Sequence, residues 1–337
     1  MNNITLVNST KVPKIDLLLC EIINLLEQSF PNRIRGYYLE GSYANYSAVA
    51  SSDIDMRVVF KGKLEAEERQ QFAQYLESYQ QMCSIELGIT PDSESALFRI
   101  GAVRFQKASL LMYGEDIRAQ VPLKPIDSFI RDNMHFQYRL LARIRGNPEV
   151  LRFPLDYPDP AGEFYGYDRR PIRADGIIHY GTKDLVLNVL CPATALIALK
   201  AKQYVVSKQD CVTQYRRWIN DEWTPLIEAV YQQCRCQWNY LVPSDADDRK
   251  QLRKLCISAL CFENHFLEHY KAYLLTELQH TDDAYKLYTV KRLGQIIYGD
   301  RPRRALRHRA VVTVLEKMKN TNNQELKLQI DTTLQHY

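Results

Sequence analysis

The sequence predicts an α/β (α+β) domain with a small mixed sheet over residues 1–122, followed by an all-helical domain over residues 123–337. Three observations predict it. The chain has 337 residues, and domains usually run roughly 100–200 residues. Before Pro122, helical periodicity alternates with short apolar runs of strand character. From Asp184 onward, the apolar spacing is helical almost to the end.

The elements follow in order. Residues 15–30 place apolar side chains at helical spacing and stop before Pro31. Residues 35–40 and 53–60 read as strands, and 65–81, rich in Glu and Gln, as an exposed helix. Residues 83–90 alternate and read as a third strand with Glu86 in its middle. Residues 109–113 are short and apolar. A helix over 125–145 carries Phe129, Met134, Leu140 and Leu141 on one face. Residues 152–181 hold Pro154, Pro158, Pro160, Pro171 and four glycines, which predicts a long irregular loop. Helices are then expected over 184–205, 209–240, 247–278, 284–298 and 303–318.

Composition narrows the class of protein. Hydrophobic residues make up 46% and charged residues 25%, so the chain can bury a core. A net charge of +4 is too small to argue for a nucleic-acid or membrane partner. The basic stretch 291–309 reads as a solvated helix face, and a polyanion site there would depend on Arg303, Arg304 and Arg307. Eight cysteines are scattered, several inside apolar runs, which suits free thiols in a reducing compartment. The N-terminus lacks the pattern of a signal peptide, and no run of about 18 apolar residues stands out. A cytoplasmic protein with no membrane partner is the expectation.

The chemistry concentrates in one stretch. Gly41-Ser42 follows the first strand, and Ser51-Ser52-Asp53-Ile54-Asp55 opens the second. Asp53 and Asp55 are two apart on a strand, so their side chains share a face. Two hard carboxylates on one face suit Mg²⁺, which takes oxygen ligands and shares its shell with substrate phosphates. Glu86 on a neighbouring strand would add a third carboxylate. A turn with no side chain at Gly41 lets backbone N–H groups approach a phosphate, and Ser42 adds a hydroxyl.

The stretch GSYANYSAVASSDIDMRVVF resembles the signature of the polymerase-β-like nucleotidyltransferases, in particular their small-molecule branch. Further on, YGED with VPL, and KDLVLNVLCPATALIALKAKQYVVSKQD, are similar to segments of the streptomycin/spectinomycin adenylyltransferases. The similarity spans about residues 34–243. It implies that Asp53 and Asp55 hold two Mg²⁺ ions and that Glu86 is the general base. Gly41, Ser42 and Ser52 would contact the triphosphate of ATP. Lys208 would reach its phosphates from the helical domain, and Tyr240 would pack near the nucleotide. The implied reaction is AMP transfer to a hydroxyl of a small molecule such as an aminoglycoside.

The sequence departs from those enzymes at two places. A tryptophan expected before Gly181 is missing, with Arg173 nearby instead, and no arginine precedes Ser207-Lys208 in its helix. A cationic drug needs acidic or aromatic walls. Asp175, Asp184 and the aromatic set Tyr157, Phe164, Tyr165, Tyr167 and Tyr180 are candidates, or else loop packing. Arg169, Arg170 and Arg173 would repel a cation if they point inward. The open alternatives are action on tRNA or protein, synthesis of a signalling nucleotide, or an antitoxin-like binding module. His265 and His269 lie four apart, but they lack a third ligand and read as helix packing.

Overall fold

The computed structural model describes residues 4–147, 150–174, 176–279, 282–298 and 304–337, with side chains for all but 174, 298 and 304–308. Asp175 and Arg303 therefore lie outside the described residues, as do the side chains of Arg304 and Arg307.

Four strands form the sheet: β1 (Ile34–Glu40), β2 (Ile54–Phe60), β3 (Leu87–Ser93) and β4 (Leu110–Gly114). Their order is β3-β2-β1-β4, with β1 antiparallel to β2 and β4, and β2 parallel to β3. The sheet is thus mixed and small, with flanking helices. A mainly helical region follows, so the order of the two parts is the one the sequence predicts.

Alternation along β2 gives the sheet two unlike faces. Ile54, Met56, Val58 and Phe60 point to one side, where helices α1 (Pro13–Ser29) and α3 (Ala66–Met82) cover them. Asp53, Asp55, Arg57 and Val59 lie on the other. That face is apolar at one end, where Tyr38, Val59, Leu97, Phe105 and Leu111 form a separate cluster. Midway, Arg57 pairs with Glu40 at 2.8 Å and Asp92 at 2.6 Å. The far end carries the carboxylates. A one-turn helix α2 (Gly41–Ala44) leaves β1 there. Two short helices, α4 (Glu94–Ile100) and α5 (Val103–Ala108), cover the apolar end. Sequence periodicity does not reveal them, because neither is long enough to show it.

The large core of the second region runs from Phe129 to Ile330 and takes in Val103. It is built by α6 (Ile126–Ile144), α7 (Lys183–Ala201), α8 (Lys208–Trp218), α9 (Thr224–Ala229), a π-helix (Val230–Gln237) and α10 (Ala246–Glu277). Helices α11 (Asp283–Gly294), α12 (Arg304–Met318) and α13 (Gln324–Leu334) close it. Helix α7 has a mean hydropathy of 1.6 and is long and apolar enough to cross a membrane, which corrects the reading that no such run exists. As 67% of that stretch is buried within the fold, a central core helix explains its composition.

The region is not wholly helical. The expected loop over 152–181 carries a hairpin of β6 (Arg170–Ala174) and β7 (Ile177–Gly181). At its start β5 (Leu151–Phe153) pairs in parallel with β8 (Ile296–Tyr298). The helix expected over 209–240 is three helices, broken at Asn220, where φ is +46°. All eight cysteines are free.

Candidate active site

Glycine decides how Asp55 is seated. Asp55 stands opposite Gly88 in the β2–β3 register and opposite Glu40 in β1. A Cβ on Gly88 would lie 2.7 Å from Asp55 Oδ1, and one on Gly41 would fall on Oδ2. The carboxylate thus occupies the space that two missing side chains leave. Gly41 also needs its φ of +67°, which L side chains rarely adopt. Gly88 was missed in the sequence, although a glycine inside a strand is a signal of close approach. Gly88→Ala should leave the fold intact yet push the carboxylate aside. An activity loss of about tenfold or more, with a raised Mg²⁺ requirement, is expected in steady-state assays.

Burial and the neighbouring Asp53 raise the Asp55 carboxyl to about 6, partly offset by Lys208 and Arg104. Two carboxylates in such strain are what a divalent cation relieves. Asp53 and Asp55 fit Mg²⁺ together with substrate oxygens. Among the described residues no group of three His, Cys, Asp or Glu converges on one metal point. Glu86 does not complete such a cluster.

Glu86 sits one residue before β3 rather than in its middle, on the same side as Asp53. The two are joined by a side chain that the sequence reading passed over. Lys183, at the start of α7 and 6% exposed, places Nζ 2.9 Å from Glu86 Oε2 and 3.4 Å from Asp53 Oδ2. On its other side Glu86 meets Arg170 at 3.6 Å.

Lys208 comes from the facing domain. Ser207 caps α8 by accepting the Asp210 N–H at 3.0 Å, and Asp210 accepts the Val206 N–H at 2.9 Å. The Ser207 cap places Lys208 at the first position of the helix. A cavity of about 360 Å³ lies between the halves, lined by Gly41, Ser42, Asp55, Gly88, Arg104 and Lys208 among others. It adjoins a wider hollow of about 950 Å³, with which it shares Arg104, Phe136, Cys191 and Thr194.

Ser52 and Tyr240 sit behind this surface. Ser52 is buried, and its hydroxyl accepts the Val49 N–H at 2.9 Å, closing the loop that presents Asp53. Tyr240 is buried too, with Lys183, Lys208 and Arg235 at 5.9, 5.8 and 6.0 Å from its ring centre. In this structure it backs both lysines. The two halves are strapped together nearby. Arg235, from the π-helix, donates to the Ser47 carbonyl at 2.6 Å, and the Ser51 hydroxyl donates to the Asn239 carbonyl.

The aromatic candidates for an acceptor wall are mostly packing. Tyr157 and Tyr165 stack at 4.2 Å, while Phe164 and Tyr167 are each 1% exposed. Tyr180 alone of that set is freely exposed. Asp184 lies between Arg143 and Arg170. Arg173 donates to the Cys83 carbonyl and Arg169 pairs with Asp159. His265 packs among Trp223, Phe262 and His269.

No family model matches this sequence, and no curated protein matches it. Among solved structures, the chain is similar to spectinomycin adenyltransferase AAD(9) from Enterococcus faecialis, crystallised with ATP and spectinomycin. The TM-score is 0.48 and the identity 10%, over 76% of this chain and 99% of that one. A likeness of this degree concerns the course of the chain, not its chemistry.

Proposed function

We propose that this chain is a metal-dependent nucleotidyltransferase that moves AMP from ATP to a hydroxyl of a small molecule. The observation that carries the reading is the seat of Asp55 between Gly41 and Gly88, beside Asp53 and across the cleft from Lys208. Asp53 and Asp55 would hold Mg²⁺. Bound there, the metal would supply charge neutralisation for the triphosphate and the departing pyrophosphate.

The chain's own groups account for the rest. The Gly41-Ser42 turn offers backbone donors where no side chain intervenes, and Lys208 grips the phosphates. The wider hollow leaves room for the nucleoside. The acceptor oxygen attacks the α-phosphorus, the bond to pyrophosphate breaks, and the acceptor proton passes to Glu86. Positioning and charge do the work, and no covalent intermediate is needed.

Two variants test these assignments. Lys208→Ala should weaken Mg–ATP binding by about tenfold or more, as read by thermal shift or calorimetry. Glu86→Gln should bind Mg–ATP as the wild type does while turnover falls by about a hundredfold or more. Unchanged turnover in Glu86→Gln would take the base role from Glu86.

The resemblance in the catalytic motif implies a hydroxylated cation such as an aminoglycoside as acceptor. Asp184 is the acidic wall such a drug would use, and Arg143 and Arg170 already flank it.

A further inference from the structure

On the nucleotidyltransferase reading, we propose that the acceptor is a small phosphorylated alcohol whose phosphate binds Arg143 and Arg170 in the pocket beside Glu86. That pocket is lined by Arg143, Ile144, Arg169, Arg170, Pro171 and Asp184, and its volume is about 390 Å³. Three of six lining residues are arginines, and Asp184 is the sole acid among them. Arg169 is already taken by Asp159.

The other two arginines are loosely held. Arg170 lies 3.6 Å from Glu86 and 4.0 Å from Asp184, and Arg143 lies 3.5 Å from Asp184. Charge-assisted N–H···O bonds close to roughly 2.7–2.9 Å, so these guanidinium groups rest near carboxylates without locking onto them. Firmly held arginines of the same chain look different: Arg57 meets Glu40 at 2.8 Å and Arg145 meets Glu263 at 2.5 Å. Planar donor forks left unlocked at the wall of a pocket fit a tetrahedral anion.

The arrangement also places the anion correctly. The Arg170 guanidinium spans from Glu86 to Asp184, so a phosphate gripped at its pocket side holds the rest of the molecule toward the base. The local charge has the right sign. Once Asp53 serves a metal, three cations (Lys183, Arg170 and Arg143) face two carboxylates, Glu86 and Asp184. A cationic acceptor would enter against that field.

The experiment has two readouts. The first is calorimetric titration of the metal-free protein with inorganic phosphate. Arg143→Ala/Arg170→Ala should weaken binding by about tenfold or more, and Asp184→Asn should tighten it. Arg143 is 58% exposed on its side chain, so its loss does not threaten the fold. The second is transfer from [α-³²P]ATP to matched panels: phosphorylated alcohols such as glycerol 3-phosphate and ribose 5-phosphate, and cationic aminoglycosides. Label on the phosphorylated panel, with a raised acceptor KM but unchanged ATP KM in the double variant, is the expected result. Unchanged phosphate binding in that variant, or label on aminoglycosides alone, would overturn the proposal. Phosphate binding at these arginines without transfer from ATP to any acceptor would instead overturn the nucleotidyltransferase reading.

Discussion

Asp55→Asn should reduce nucleotidyl transfer by about a thousandfold, equal to several kcal/mol of lost transition-state stabilisation. It should also make the metal-free protein more stable at neutral pH. Burial, and next the charge of Asp53, hold the Asp55 carboxyl at about 6 against an ordinary value of 3.8. The folded state therefore favours the protonated form. That contribution is fully present below the unfolded value near 3.8 and is lost as pH rises through 6. At pH 7.5 the ionised group costs the native state about 3 kcal/mol, which Asn removes. Urea melts in EDTA should show the gain at pH 7.5 and its decline between pH 6 and 4. A variant less stable than wild type at pH 7.5 would show that Asp55 is held by a favourable partner instead.

The second large effect lies away from the cleft. Glu263 is fully buried in α10 and accepts from Arg145 at 2.5 Å and from the Tyr167 hydroxyl at 2.9 Å. Arg145 also donates to the Asp156 carbonyl at 2.9 Å. Together these contacts fix the foot of the segment that carries Arg170 and leads to Lys183. Glu263→Leu strands the Arg145 charge, whose side chain is only 10% exposed, and should cost about 3–5 kcal/mol. Adding Arg145→Met should recover more than half of that loss, because removing both charges leaves no uncompensated ion. Chemical denaturation of the two variants gives the comparison, and additive losses would contradict the account.

Strand β2 was legible because a period of two is unambiguous over Asp53, Asp55, Arg57 and Val59. The helical cores were legible where apolar spacing ran for several turns, as in α6 and α10. What escaped was set by tertiary contact. Lys183 carries no local sign that its ammonium will meet Asp53 and Glu86, 130 and 97 positions away in sequence. The Arg145–Glu263 pair spans 118 positions. The π-helix over Val230–Gln237 leaves no mark in a 3.6-residue pattern, so Arg235 could not be aimed at Ser47 in advance. In the β6–β7 hairpin, Ile177, Ile178 and Tyr180 are all exposed, so burial imposes no alternation that would reveal a strand.

The most direct test of the central claim is where the label goes. The protein is incubated with Mg²⁺ and ATP labelled either at the α- or at the γ-phosphorus, with the phosphorylated and the cationic acceptors. Nucleotidyl transfer puts the α-label on the acceptor and the γ-label in pyrophosphate, and both signals disappear in Asp53→Ala and Asp55→Asn. A γ-label on the acceptor or in orthophosphate, or transfer that survives those substitutions, would contradict the assignment of Asp53 and Asp55 to a nucleotidyltransferase centre.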